Sequence, residues 1–396
     1  MRKLIIVAPN DRYNYGDLIF SYIIKEKLKN IYSDFINVAT VKNDLTKFGG
    51  DIVKPISAIY NLHDNENYDI IIAGGESLCS DWSVCVSYLK PEFAVFNRIL
   101  KALGLLFDAS KVSNMQNKIG RFFFNGKTKY PYTIGKNEIA NIRHIYYNSL
   151  GGSNLTEKDI TTCSQRILGE VDYISVRDEN SYDLLNRLNI KVNLCPDSAI
   201  LMSDIFTFDV LESKITTSVY EYIKRYCGNY IVFQINKNIG MTHIDEICAL
   251  LKSIIATCNL NICLCPVGFA LGHDDPVALS AIYKKMNNDM IELMTDISIW
   301  DIMSLISSSR LFIGSSLHGV VTAMSYSIPY IGLKVPKTLK YIRTWGIRSE
   351  ITCSEKIDIK HNIDNVFKIN TGELQKNSIE QKAMVNKSFE KIKAFV

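Results

Sequence analysis

The sequence predicts an α/β protein of two Rossmann-like domains facing a cleft, and three observations carry that prediction. Short apolar runs recur at 4–8, 68–73, 173–176, 230–234, 260–266 and 311–313, each followed by a turn and then by apolar residues at helical spacing. The alternation pauses after Cys195-Pro196-Asp197-Ser198 and restarts at about residue 206, which gives two units, 1–205 and 206–372. A chain of 396 residues with 47% hydrophobic content is also too large for one ordinary core. Residues 373–396 form a last helix expected to pack back on the body.

Composition narrows the function. The net charge of +4 is mild, and no long Lys/Arg block marks a nucleic-acid surface. The ten cysteines include no CxxC pair, so no metal site is expected; Cys263 and Cys265 alternate within an apolar strand and read as buried free thiols. The first apolar run, Leu4 to Ala8, is stopped by Pro9-Asn10-Asp11, too soon for a secretory core, so it reads as a strand in a cytoplasmic protein.

In chain order, the first strand leads through Asn10–Asp17 into a helix near Leu18. The first strand-to-helix loop of an open parallel sheet is a ligand position, so Asn14, Gly16 and Asp17 are candidates. Asp17 either caps the helix or offers a carboxylate to sugar hydroxyls. The strand 68–73 ends in Gly74-Gly75-Glu76-Ser77, where two glycines allow a ligand close to the backbone. Residues 90–143 then carry ten Lys/Arg against three Asp/Glu, a net +7. Within them Phe93–Phe107 predicts an amphipathic helix, with Asn97, Arg98, Lys101, Gly104 and Asp108 on one stripe and Phe93, Phe96, Ile99, Leu100, Leu103, Leu106 and Phe107 filling the rest. It is too short and charged to span a bilayer. Either it packs on the domain or a second subunit, making a homodimer, or it gives a peripheral membrane contact through 93–136.

Arg177 follows the strand 173–176 and opens the next helix, where a guanidinium can fork onto a carboxylate or phosphate or pair with its acidic neighbours. The second unit culminates in LFIGSSLHGVVTAMSYSIPYIGL, 311–333, read as strand, turn, helix, strand. A helix start after such a turn favours anions, and His318 stands there as a side chain that exchanges protons near neutrality. A plainer reading has Ser315 and Ser316 capping the helix and His318 bonding a carbonyl. Between Arg310 and Ser349 there are six Lys/Arg and no Asp or Glu, which predicts a field suited to a phosphate or carboxylate.

Asn14-Tyr15-Gly16-Asp17, Gly74-Gly75-Glu76, Ser175-Val176-Arg177-Asp178, Asp274-Asp275, Ser315-Ser316-Leu317-His318-Gly319 and Lys337, in this order, resemble the polysaccharide pyruvyltransferase family. The resemblance runs through nearly the whole chain except the basic 90–143 region. It implies a GT-B-like fold and transfer of pyruvate from phosphoenolpyruvate onto a sugar as a ketal, with no other cofactor. Many relatives have arginine where Ser316 stands, so Lys337, Arg343 or Arg348 is expected to supply that cation.

On this reading His318 is the general acid or base, Arg177 and Lys337 hold the anion, and the backbone at Ser315, Ser316 and Leu317 receives phosphate. A glycan or lipid-linked oligosaccharide acceptor meets Asn14, Gly16, Asp17, Gly74, Gly75 and Glu76. Two other functions fit the same fold: a nucleotide-sugar glycosyltransferase, although 320–327 lacks the Glu many such enzymes use to hold ribose, and a carbohydrate-binding protein without activity.

Overall fold

Alternation within single strands sorts the core into two faces. In β1 (Lys3–Val7), Leu4 and Ile6 point into one apolar cluster while Ile5 and Val7 enter another. In β5 (Tyr68–Ala73), Ile71 and Ala73 join the first cluster and Ile70 and Ile72 the second. A strand buried on both faces reads as an unbroken apolar run, which is why these runs were legible. The computed structural model describes residues 2–62, 67–78, 80–104, 109–160 and 162–396.

The first sheet has eight strands in the order β3-β4-β2-β1-β5-β6-β7-β8. Besides β1 and β5 these are β2 (Asp34–Ala39), β3 (Asn43–Asp44), β4 (Ile52–Pro55), β6 (Ile142–Leu150), β7 (Tyr173–Val176) and β8 (Asn193–Leu194). All neighbours are parallel except β3 with β4. The second sheet is wholly parallel in the order β11-β10-β9-β12-β13-β14. Its strands are β9 (Tyr230–Gln234), β10 (Asn261–Leu264), β11 (Ile291–Leu293), β12 (Leu311–Gly314), β13 (Tyr330–Leu333) and β14 (Cys353–Ser354).

Each sheet reverses its winding once. In the first sheet β1 lies between β2 and β5, and in the second β9 lies between β10 and β12. The loops leaving β1 and β5 therefore part, as do those leaving β9 and β12, and each pair opens a crevice at the carboxyl edge of its sheet. The two crevices face one another.

The domains share a core. Helix α1 (Tyr15–Leu28) buries Leu18, Ile19, Phe20, Ile23 and Ile24 in the cluster that also holds Val320, Val321 and Met324 of the second domain. Burial of side chains this size stabilises by about 1.5–3 kcal/mol each. The Tyr15 hydroxyl meets Thr322 Oγ1 at 2.8 Å, and Tyr13 stacks between Phe48 and Phe269 at 4.5 and 4.2 Å. The last helix, Thr371–Lys393, starts earlier than the sequence predicts and returns to the first domain, where Ser388 Oγ meets Tyr173 Oη at 2.8 Å.

Between β5 and β6 the described residues form three α-helices, α2 (Trp82–Leu89), α3 (Pro91–Gly104) and α4 (Ala109–Phe123). The helix expected over Phe93–Phe107 is α3, and of its apolar side chains Phe93 is buried while others turn outward. Asn97 is buried, donating through Nδ2 to Ser87 Oγ at 2.7 Å, while Phe96 and Ile99 are exposed. Polar side chains on α2 and α4 offer Asn97 partners, so the hydrogen-bonding face turns inward; Gln116 Nε2 also donates to the Asn97 carbonyl at 3.1 Å. Leu106, Phe107 and Asp108 of the expected helix lie outside the described residues.

Candidate active site

A cavity of about 470 Å³ occupies the gap where the two crevices meet. Its lining comes from the loop after β1 (Pro9, Arg12, Asn14), the first turn of α1 (Asp17), the loop after β5 (Gly75, Glu76, Ser77), the end of β7 (Arg177) and helix α2 (Val84, Cys85, Tyr88). The second domain contributes Gln234, Asn236, His273, Asp275, Ser315, Ser316, Leu317, His318 and Lys337. Residues separated by more than 300 positions thus line one space.

His318 stands in the first turn of the helix Leu317–Ser325, which is capped by Ser316 Oγ accepting from the Gly319 N–H at 3.3 Å. Its ring is wedged against the first domain. Nε2 faces Asp197 Oδ2 at 3.6 Å, and Phe20 meets the ring edge-on at 5.5 Å. On the other side the ring lies so close to Gly16 that a Cβ there would sit 1.8 Å from Nδ1. Gly16 is therefore a packing requirement of the histidine behind the cavity lining.

Arg177 is almost fully buried and divides its guanidinium between Asp197 Oδ2 at 2.5 Å and Glu76 Oε1 at 3.0 Å. Burial works to raise the Asp197 carboxyl, but the Arg177 charge and the facing His318 hold it down at about 2. Glu76 is likewise lowered against its burial by Arg177 and Lys337, and its Oε2 accepts from the Ser153 N–H and hydroxyl at 2.9 Å each. The result is a row of side chains, Glu76, Arg177, Asp197 and His318, running from one domain to the other.

Two further cations are less committed. Lys337 lines the cavity without a direct ion pair among the described residues; burial lowers its ammonium pKa, Glu76 opposes that, and Arg177 adds repulsion. Arg12 reaches Asp17 only at 3.9 Å and Asp11 at 3.7 Å, its guanidinium lying over the Tyr88 ring at 4.9 Å. Its Nη1 is buried without a hydrogen-bond partner among the described residues. Burial, with Lys337 and Arg12 nearby, lowers His273 to about 4, so this imidazole is neutral at pH 7.

The start of the Leu317–Ser325 helix differs from expectation. Gln234 Oε1 accepts from the N–H groups of both Ser315 and Ser316, at 2.9 and 2.8 Å, so those donors are already taken. Gly314 makes room for this, since Gln234 pairs with it in register and a Cβ there would meet Oε1 at 2.8 Å. Gln234 is in turn held by Asp275, whose Oδ2 accepts from Gln234 Nε2 at 2.7 Å and from the Gly268 and Val267 N–H groups at 2.7 and 3.0 Å. Burial pushes this carboxyl up to about 6 despite those bonds, and Oδ1 has no hydrogen-bond partner among the described residues. The N–H groups of Leu317 and His318 are the helix-start donors taken neither by Gln234 nor by the cap.

Of the residues predicted from sequence, Asn14, Asp17, Gly75, Glu76, Arg177, Ser315, Ser316, Leu317, His318 and Lys337 line the cavity. Asp17 is not the helix cap: Asn14 occupies that position and donates from Nδ2 to Asp17 Oδ2 at 2.7 Å. Gly74 sits behind the wall with φ +80, its Cα side against Phe20. Arg343 is a correction: it points to solvent and pairs with Glu355 at 3.1 Å. Arg348 likewise pairs outside with Glu373 at 2.7 Å. Arg343 is on the helix Pro336–Trp345 and Arg348 just before the helix Ser349–Thr352, both turned from the cavity, so of the six basic residues in 310–348 only Lys337 reaches it. Arg12, Gln234 and Asp197 were missed; a charged or amide residue at the end of a predicted strand, or just beyond, was the available signal.

Two Rossmann-like sheets with opposed switch points define a GT-B-like α/β protein. Solved structures share the fold: UDP-N-acetylglucosamine 2-epimerase from Rickettsia bellii aligns over 100% of this chain and 95% of its own at TM-score 0.56 and 12% identity. That from Methanocaldococcus jannaschii aligns over 93% and 92% at TM-score 0.50 and 11% identity. At such identities the likeness concerns the fold alone. No curated protein sequence matches the chain. The family is decided by sequence: residues 14–335 match the polysaccharide pyruvyl transferase model, and the chain belongs to that family. Pyruvyl transfer to polysaccharide is thereby its general activity.

Proposed function

We propose that the chain transfers pyruvate from phosphoenolpyruvate to a sugar of a surface polysaccharide or its lipid-linked precursor, forming a ketal and releasing phosphate. The observation that carries this reading is the convergence of Arg12, Arg177 and Lys337 with His318 in one cavity between the domains. Phosphoenolpyruvate is small and carries two anionic groups on one enol. A site for it needs separate cations and an acid.

The donor carboxylate and phosphate are held by Lys337, Arg12 and Arg177, with Leu317 and His318 N–H groups assisting. Asp197 stays ionised, holds Arg177 and faces the imidazole of His318. His318 gives a proton to the methylene carbon, which becomes a methyl, and takes back the proton of the sugar hydroxyl that adds to the neighbouring carbon. A second hydroxyl then attacks the same carbon, the C–O bond to phosphate breaks, and its proton leaves with the phosphate. Asn14, Asp17 and the Gly75-Glu76 turn receive the acceptor, and at about 470 Å³ the cavity has room for a sugar beside the donor.

The test is phosphate release from phosphoenolpyruvate with and without candidate glycans. Glycan-dependent release, abolished in His318→Ala, is expected. Thermal stabilisation by UDP-sugars with none by phosphoenolpyruvate would overturn the reading in favour of a glycosyltransferase.

A further inference from the structure

The helices α3 and α4 bury polar groups and expose apolar ones. Asn97, Gln116 and Asn117 form the hydrogen-bonded interior, with Asn117 Oδ1 accepting the Trp82 N–H at 2.7 Å. Outside lie Phe122 at 83% exposure, Phe123 at 66%, Ile99 at 55% and Val95 at 52%. The surface is continuous: the Phe93 ring lies 5.8 Å from Phe96 on α3 and 6.1 Å from Phe123 on α4. Exposed aromatic and aliphatic side chains gathered on one face mark a place for a partner.

Charge selects the partner. Residues 90–143 carry a net +7, more than the whole chain's +4. Beside the apolar edge a second cavity, about 240 Å³, is lined by Asn114, Asn117, Lys118, Arg121 and Lys129, with no carboxylate among the described residues. Around α4, at 100° per residue, Asn114, Lys118 and Arg121 share one stripe and Met115 and Phe122 the stripe adjoining it. An apolar edge flanked by cations matches an anionic lipid surface, acyl chains meeting the rings and phosphate headgroups meeting the cleft. No described helix is long and apolar enough to cross a membrane, so the contact is a surface one.

We propose that the outer face of α3 and α4 docks on an anionic bilayer. Helix α2, which packs on both, lines the active-site cavity with Val84, Cys85 and Tyr88. Docking thus brings the cavity close to the lipid plane, which suits a lipid-anchored glycan acceptor; that clause rests on the transferase reading above.

The test is sedimentation of the full-length protein with vesicles of phosphatidylcholine alone or mixed with phosphatidylglycerol. Binding to the mixed vesicles only, weakened by salt, is expected. Lys118→Glu/Arg121→Glu/Lys129→Glu lowers the partition coefficient by about 10²-fold and Ile99→Ser/Phe122→Ser by at least about tenfold, with turnover of a soluble glycan unchanged in both. The proposal fails if wild-type protein stays in the supernatant, or if both variants bind as well as it does. It also fails if the apolar substitutions instead split a dimer, which makes the face a contact between two copies. Vesicle binding is read without catalysis: protein that transfers to soluble glycan but ignores vesicles sinks this proposal alone, and protein that binds vesicles but transfers nothing sinks only the transferase reading.

Discussion

Substituting Gly16→Ala tests whether the position of His318 matters to turnover. A Cβ at residue 16 would lie 1.8 Å from Nδ1 and 2.0 Å from Cγ, whereas ordinary contact begins at 3.4 Å, so the ring must retreat by roughly 1.6 Å. Phe20 and Asp197 stand behind and beside it, at 5.5 Å between ring centroids and 3.6 Å from Nε2, leaving little room to do so. Alanine is the better helix former by about 1 kcal/mol, and overpacking costs about 1–3 kcal/mol, so the net loss of stability is about 0–2 kcal/mol. Displacement of a reacting group by an ångström or more lowers turnover by about 10²-fold. Thermal melting and steady-state phosphate release measure the two effects separately. In a His318→Ala background the same substitution meets no ring, and its stability cost should vanish, a coupling of about 1–3 kcal/mol. Wild-type turnover in Gly16→Ala would refute the argument, since the imidazole would then be dispensable or free to move.

Three other perturbations have defined outcomes. Asp197→Asn leaves the buried Arg177 underpaired and should destabilise by about 3–5 kcal/mol in urea unfolding. Because the folded pKa of Asp197 lies below its unfolded value, its stabilisation is present above pH 4 and is lost as pH falls toward about 2, so only the wild type should lose this contribution over that window. Asp275 has the opposite sign: its folded carboxyl is raised to about 6, so the stability linked to it is full below pH 4 and declines as pH rises through 6, by about 2–3 kcal/mol. Asp275→Asn should flatten that decline, and an unchanged slope counts against the assignment. Lys337→Met should raise the KM for phosphoenolpyruvate by about 10–100-fold, from loss of one charge-assisted contact, while melting shifts little; an unchanged KM would place the donor elsewhere.

The sequence by itself determined the strands and the local site turns. Apolar runs such as Ile70-Ile71-Ile72 and Leu311-Phe312-Ile313 stop at polar or glycine turns, and those turns are where Glu76 and His318 stand. Such features are local, because a strand buried on both faces and a helix start each need only neighbouring residues. Tertiary structure decided what depends on distant partners. It placed Asp197 against both Arg177 and His318 and put Gln234, 81 positions before Ser315, on the amides expected to be free. It turned Arg343 to solvent although Lys337, six residues earlier, faces the cavity. It also decided which side of α3 turns inward, because Asn97 found hydrogen-bond partners there that composition alone does not reveal. Charge counted along a chain does not say which side chains share a space; that is set by how two sheets, each reversing at its own switch point, are brought face to face.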